Sequence, residues 1–114
     1  MSKTLGQRIR HTRTQRDLGL REMARLVDIS PTYLSRVETD EEQNPPAEET
    51  LKKIAEVLGE NLGELMHLAG RVPSDVDEIV REDPSMPDAL RAAKAKNISG
   101  EQLKQLIEKA KARR

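Results

Sequence analysis

At 114 residues with 35% hydrophobic but only 1% aromatic content, the chain can fill one small aliphatic core, or one core with an extension. It holds no cysteine, which excludes disulfides and thiolate metal sites; no apolar run approaches the roughly 20 residues of a membrane span and no signal-peptide pattern opens the chain, so a cytoplasmic protein without a membrane partner is expected. Its formal net charge of zero hides a segregation: residues 1–36 and 85–114 are each +5, residues 37–64 are −7 and residues 65–84 are −3, so the local field rather than the total decides which partners are favoured.

In chain order, the first predicted helix covers 4–17, with Leu5 and Ile9 four residues apart on one face. A second covers 20–27 and turns Met23, Ala24 and Val27 inward. A tight corner follows at Asp28-Ile29, and a third helix covers 31–39. Ser30 is suited to cap it, and Pro31 fits the first position because no amide donor is needed there. Leu34 and Val37 point to the core, which leaves Pro31, Thr32, Tyr33, Ser35 and Arg36 facing out. A short, polar, outward helix with a cationic tip on a compact helical body suits the major groove of DNA. The segment 39–47 contains Asn44-Pro45-Pro46 and is read as a loop.

The fourth predicted helix, 48–58, carries the apolar stripe Leu51, Ile54, Ala55 and Leu58. The fifth, 62–69, opens on the capping pair Asn61 and Glu64 and closes at Gly70. A boundary near Gly70-Arg71-Val72-Pro73 divides a domain at 1–70 from a helical extension at 71–114. The extension holds helices at 75–82, 86–96 and 100–112. The last has a complete start signal: Ser99 caps, Gln102 answers at the third helical position, and Ile98 is placed to staple onto Leu103. Its apolar face is Leu103, Leu106, Ile107 and Ala110, with Lys104, Lys109, Lys111, Arg113 and Arg114 largely outside it. No segment alternates with period two, so the fold class is all-α.

An ordered set of motifs runs through residues 5–69: Leu5-Gly6, Ile9-Arg10 and Arg13; Leu18, Met23-Ala24 and Ile29-Ser30; Tyr33-Leu34-Ser35-Arg36-Val37-Glu38; and Thr50-Leu51, Ile54-Ala55, Leu58-Gly59 and Leu65. In this combination the segment resembles the Cro/lambda-repressor-like, XRE-type helix-turn-helix family. The resemblance implies a five-helix bundle that binds double-stranded operator DNA, usually as a two-fold dimer. It also implies an Arg13–Glu38 ion pair, base contacts from Pro31, Thr32, Ser35 and Arg36, and phosphate contacts from Ser30 and Tyr33. Arg36 is the best candidate for direct reading, because a guanidinium can meet guanine O6 and N7 together. Two departures stand out. Gly19 and Leu20 occupy positions that the family usually fills with Ser and Gln, so a phosphate contact is either lost or moved to Arg21. The loop after the third helix is acidic (Asp40-Glu41-Glu42), which weakens attraction to phosphate unless these side chains point away; Gln43 and Asn44 remain phosphate candidates, as does Arg10.

Other readings compete. Tyr33 is the one aromatic residue and is also suited to plain packing beside the first helix. Arg8, Arg10, Arg16 and Arg25 also read as a solvated face. His11 and His67 lack any metal-ligand spacing, so neither a metal nor another cofactor is expected. No nucleophile elbow, catalytic triad or phosphate loop is present, and the chain is not expected to be an enzyme. In the extension, stripes at Val76, Ile79 and Val80, at Met86, Leu90 and Ala93, and along the last helix either fold back, belong to a weakly ordered basic tail, or meet a second copy. The last option fits the two-fold geometry of operators and gives Leu90, Leu103, Leu106 and Ile107 as dimerisation residues. The expected function is a transcriptional repressor acting as a homodimer on an inverted repeat. The alternatives are an antitoxin-like protein that engages a basic protein partner through the acidic stretch 37–84, net −10, and an immunity repressor of a phage or mobile element.

Overall fold

A computed structural model describes residues 3–112. Within them the chain forms eight helices and no strand: α1 (Leu5–Gln15), α2 (Leu20–Val27), α3 (Pro31–Glu38), α4 (Glu48–Leu58), α5 (Leu62–Leu68), α6 (Ser74–Glu82), α7 (Met86–Ala95) and α8 (Gly100–Ala112). They divide into two compact units, residues 1–73 and 74–114. Arg113 and Arg114, placed outside the last apolar face by sequence, lie outside the described residues.

Local chemistry sets the helix ends. Thr4 and Gln7 form a reciprocal capping box at the start of α1. Asp17 adopts the left-handed conformation, so α1 stops earlier than its sequence pattern suggests. At the corner between α2 and α3, Asp28 is left-handed (φ 63°), and the Ile29 amide reaches back to the Ala24 carbonyl at 2.9 Å. Ser30 then caps α3, with its Oγ accepting the Tyr33 amide at 3.0 Å. Asn61 caps α5 by accepting the Glu64 amide. The Glu64 carboxylate does not complete the expected pair; it turns to Arg8 instead. Gly70 (φ 69°) closes α5 in a Schellman turn, with its amide on the His67 carbonyl and that of Arg71 on Met66.

The core of the first unit is aliphatic. Ile9, Met23, Ala24, Leu34, Leu51, Ile54 and Leu65 are fully buried, joined by Leu5, Val27, Val37, Ala55, Leu58 and Met66. α3 packs on α1 and α2, while α4 packs on α1, α2 and α5. Gly6 brings α1 against the end of α3: a side-chain carbon there would collide with the Val37 and Glu38 carbonyl oxygens. Arg71, which the sequence pattern assigns to the extension, belongs to this unit; its guanidinium donates to the Pro45 and Pro46 carbonyls and pins the proline loop.

In the second unit α6 packs on α7. α8 opens with the capping box of Ser99 and Gln102, at 2.8 and 3.1 Å. No described residue of 74–112 is buried.

Candidate nucleic-acid interface

The inward anchors of α3, Leu34 and Val37, are 0% and 4% exposed. They fix the helix by one side and leave Pro31, Thr32 and Arg36 exposed, with Ser35 half-buried. These four residues come together with Leu20, Arg21 and Glu41 around a shallow groove of about 410 Å³. Leu20 thus presents an aliphatic wall beside the face of α3, and Arg21 stands next to it at the start of α2. Ser30 is exposed at the N-terminus of α3, where its oxygen already accepts the capping bond; its hydroxyl hydrogen remains for a phosphate oxygen.

The other candidates are distributed differently. Tyr33 is half-buried against the core, and this burial, ahead of the nearby Glu42 charge, pushes its phenol pKa up. Gln43 and Asn44 line a separate cleft of about 320 Å³ with Pro45, Pro46, Leu68 and Ala69; they are not part of the α3 groove. Arg10 is exposed on α1, also outside the groove.

Arg13 and Glu38 meet in a two-pronged ion pair, Nε–Oε2 at 2.7 Å and Nη2–Oε1 at 2.9 Å, while Nη1 donates to the Leu18 carbonyl. Their side chains are 12% and 4% exposed. The Glu38 hydrogen bonds hold the Arg13 pKa above its ordinary value. The pair ties α1 and the α1–α2 loop to the last residue of α3, which fixes the tilt of the outward face.

The sequence reading of Arg8 as a solvated cation is corrected here. Arg8 donates twice to Glu60, at 3.0 and 2.8 Å, and once to Glu64, while Thr12 donates to Glu60 at 2.6 Å. Those bonds, led by the Arg8 pair, hold the Glu60 carboxyl below its ordinary pKa. Arg16 lies over Gly59 at the end of α4 and adds its charge to the same site. The acidic loop is also engaged internally. Asp40 accepts from the Thr4 hydroxyl at 2.7 Å and the Gly6 amide at 3.3 Å. Glu41 accepts from the Thr39 hydroxyl, and Glu42 pairs with Arg36 at 3.1 Å. Sequence reasoning missed these contacts, because they depend on the left-handed turn at Asp40 (φ 61°), which folds the loop back over the end of α3.

A sequence model of the helix-turn-helix domain matches residues 6–71, more than half of the chain. The chain belongs to this family, in its XRE-type branch. This helix-turn-helix protein is 30% identical to the biofilm regulator SinR in a crystal structure with DNA, with a TM-score of 0.51 over 55% of this chain and 98% of that one. The N-terminal DNA-binding domain of SinR from Bacillus subtilis is 31% identical, with a TM-score of 0.50 over 54% of this chain and 88% of that one. A SinR protein/SinI protein complex extends the likeness of fold to 96% of this chain and 97% of that one, at 24% identity and a TM-score of 0.51. No match was found among curated protein sequences.

The helix-turn-helix protein thus carries the fold of a DNA-binding regulator family. Among its described residues no cluster of His, Asp or Glu is arranged to hold a metal ion, and no helix is long and apolar enough to cross a membrane. The four residues assigned to pairing lie outside the first unit and are exposed: Leu90 45%, Leu103 37%, Leu106 50% and Ile107 55%.

Proposed function

We propose that the chain is a transcriptional repressor that binds an inverted-repeat operator as a homodimer, and that it is a binding protein rather than an enzyme. One observation carries this reading: Pro31, Thr32, Ser35 and Arg36 converge with Arg21 on one open groove, on a helix whose opposite side is locked into the core. That arrangement presents hydrogen-bonding and apolar groups to base edges and a cation to the flanking phosphates. The likeness to SinR, solved in complex with DNA, supports DNA as the partner.

Pairing is assigned to residues 74–114. Three amphipathic helices without a buried residue have little of the packing that normally stabilises short helices. Mutual cover of Leu90, Leu103, Leu106 and Ile107 by a second copy supplies it and presents two recognition helices about one DNA turn apart. Repression then follows from occupancy, since a dimer across a promoter excludes polymerase. The reading in which the acidic stretch engages a basic protein draws less support, because Glu38, Asp40, Glu42 and Glu60 are already engaged inside the first unit.

Selection of bound sequences from random duplexes, combined with the mass in solution, tests the proposal. A palindromic consensus and a dimer are expected. Failure to retain any duplex in dilute salt rejects the operator role, and a monomer at micromolar concentration rejects the pairing.

A further inference from the structure

We infer that Glu42 is a positioning residue for base reading: it grips Arg36 by one edge and aims the other edge at a guanine. The inference rests on the proposal that α3 reads base edges. The Glu42 Oε2 accepts from Arg36 Nε at 3.1 Å, and no other side-chain bond of Arg36 is formed within the described residues. The Nη1 and Nη2 groups remain as an outward fork. An arginine can approach guanine O6 and N7 either through Nε and one Nη or through both Nη groups. Occupation of Nε by Glu42 leaves the second mode and removes the first.

The grip is built from the backbone upward. The Glu41 and Glu42 amides both donate to the Arg36 carbonyl, at 2.9 and 3.3 Å. This closes the loop onto the residue whose side chain Glu42 holds. The Glu42 side chain is 23% exposed and Arg36 52%, so the anchor is the more sheltered partner and the reader the more open one. A long side chain at the tip of a helix normally samples many rotamers, and fixing one before encounter reduces the ordering cost of binding. The carboxylate also offsets the guanidinium charge. Arg36 is therefore a weak attractor of phosphate in general and a directed donor toward one base. The acidic loop, which looks adverse for DNA binding by charge alone, becomes a source of selectivity.

Opposite effects on two readouts separate this role from simple repulsion. Full-length wild type, Glu42→Gln, Glu42→Asp and Arg36→Ala are each put through selection from random duplexes, and thermal unfolding checks that each is folded. Wild type is expected to select guanine at one position per half-site, and Arg36→Ala to lose that preference. Glu42→Gln is expected to lower the guanine preference at that same position by about tenfold while binding to scrambled duplex stays equal or rises. Glu42→Asp, which keeps the carboxylate, is expected to recover part of the preference. An unchanged guanine preference in Glu42→Gln overturns the inference and leaves the operator reading standing. So does equal gain on cognate and scrambled DNA, which marks Glu42 as repulsive only. A wild-type protein that selects no sequence overturns the operator reading and this inference together. Should Glu42→Gln unfold, the Arg36→Lys variant decides: it keeps the charge but loses the fork, and retention of the guanine preference overturns the inference.

Discussion

Arg13 and Glu38 show how one residue pair orients the outward face of α3 from behind. Their contact is almost dry, and every prong of the guanidinium that faces the protein has an oxygen partner. Removing one member strands the other without solvent, and that penalty exceeds the pair's own net contribution. Glu38→Ala is therefore expected to destabilise the first unit by about 3 kcal/mol, read as a fall in the denaturation midpoint. Simultaneous replacement with Arg13→Met and Glu38→Leu is expected to restore much of this loss, because a buried apolar pair avoids the desolvation cost. A single-variant effect below about 1 kcal/mol places the pair in the class of surface bridges instead.

Glu60 gives the residue scale a pH signature. Its carboxyl is held below the ordinary value of 4.5 by Arg8 first and by Thr12 and Arg16 in addition. A depressed carboxyl contributes stability that is present above its unfolded pKa and is lost as pH falls through its folded pKa. Wild type should thus lose this contribution only below about pH 4.5. Glu60→Gln is expected to cost about 1–3 kcal/mol at pH 7, with the gap to wild type closing as pH falls below 4. A gap that stays constant from pH 7 to pH 3 rules out the charge as the source.

At the scale of elements, the legible part of the fold is what adjacent residues decide among themselves. Ser30 before Pro31, Ser99 with Gln102, and Gly70 after α5 place helix ends because the bonds involved span only a few residues. The apolar faces of α2, α3 and α4 follow from a period of 3.6 and need no knowledge of the partner. The contacts that proved illegible join distant positions: Arg8 to Glu60 across 52 residues and Thr4 to Asp40 across 36. Nothing in the pattern of charges says which arginine of α1 turns inward and which stays in solvent. The outward placement of Pro31, Thr32, Ser35 and Arg36 around the α3 groove was readable because Leu34 and Val37 take the core face. The Arg36–Glu42 contact was not, since the chain reverses at Asp40.

The extension carries an element-scale prediction. The apolar face of α8 is exposed, and no residue of α6, α7 or α8 is buried. If this face pairs two copies, a charge introduced there acts on association without touching the buried core of the first unit. Under the proposed pairing, Leu106→Asp combined with Ile107→Asp is expected to leave a monomer in sedimentation velocity where wild type is dimeric, with an unchanged melting transition of residues 1–73. Operator affinity at nanomolar protein should fall at least about tenfold, since the second half-site no longer binds at the effective concentration set by pairing. A variant that stays dimeric moves the interface elsewhere.

For the whole molecule, the distribution of charge sets how binding responds to salt. Residues 1–36 contain eight Lys and Arg, and taking all of them as phosphate contacts gives a dimer a very steep dependence. The structure removes several. Arg8 and Arg13 are held by carboxylates of their own unit, and Arg36 is shared with Glu42. Lys3, Arg10, Arg16, Arg21 and Arg25 are exposed, and of these only Arg21 lines the groove of α3. If Arg10 and Arg21 of each protomer meet phosphate, about four counterion-releasing contacts form per dimer. The logarithm of the operator association constant should then fall against the logarithm of salt with a slope of about −4. Arg21→Ala should flatten that slope by about 2 per dimer and weaken cognate and scrambled duplexes alike. A slope steeper than about −8 shows that the basic residues of 85–114 also reach the duplex, and loss of that excess on neutralising Lys104, Lys109 and Lys111 assigns it to α8.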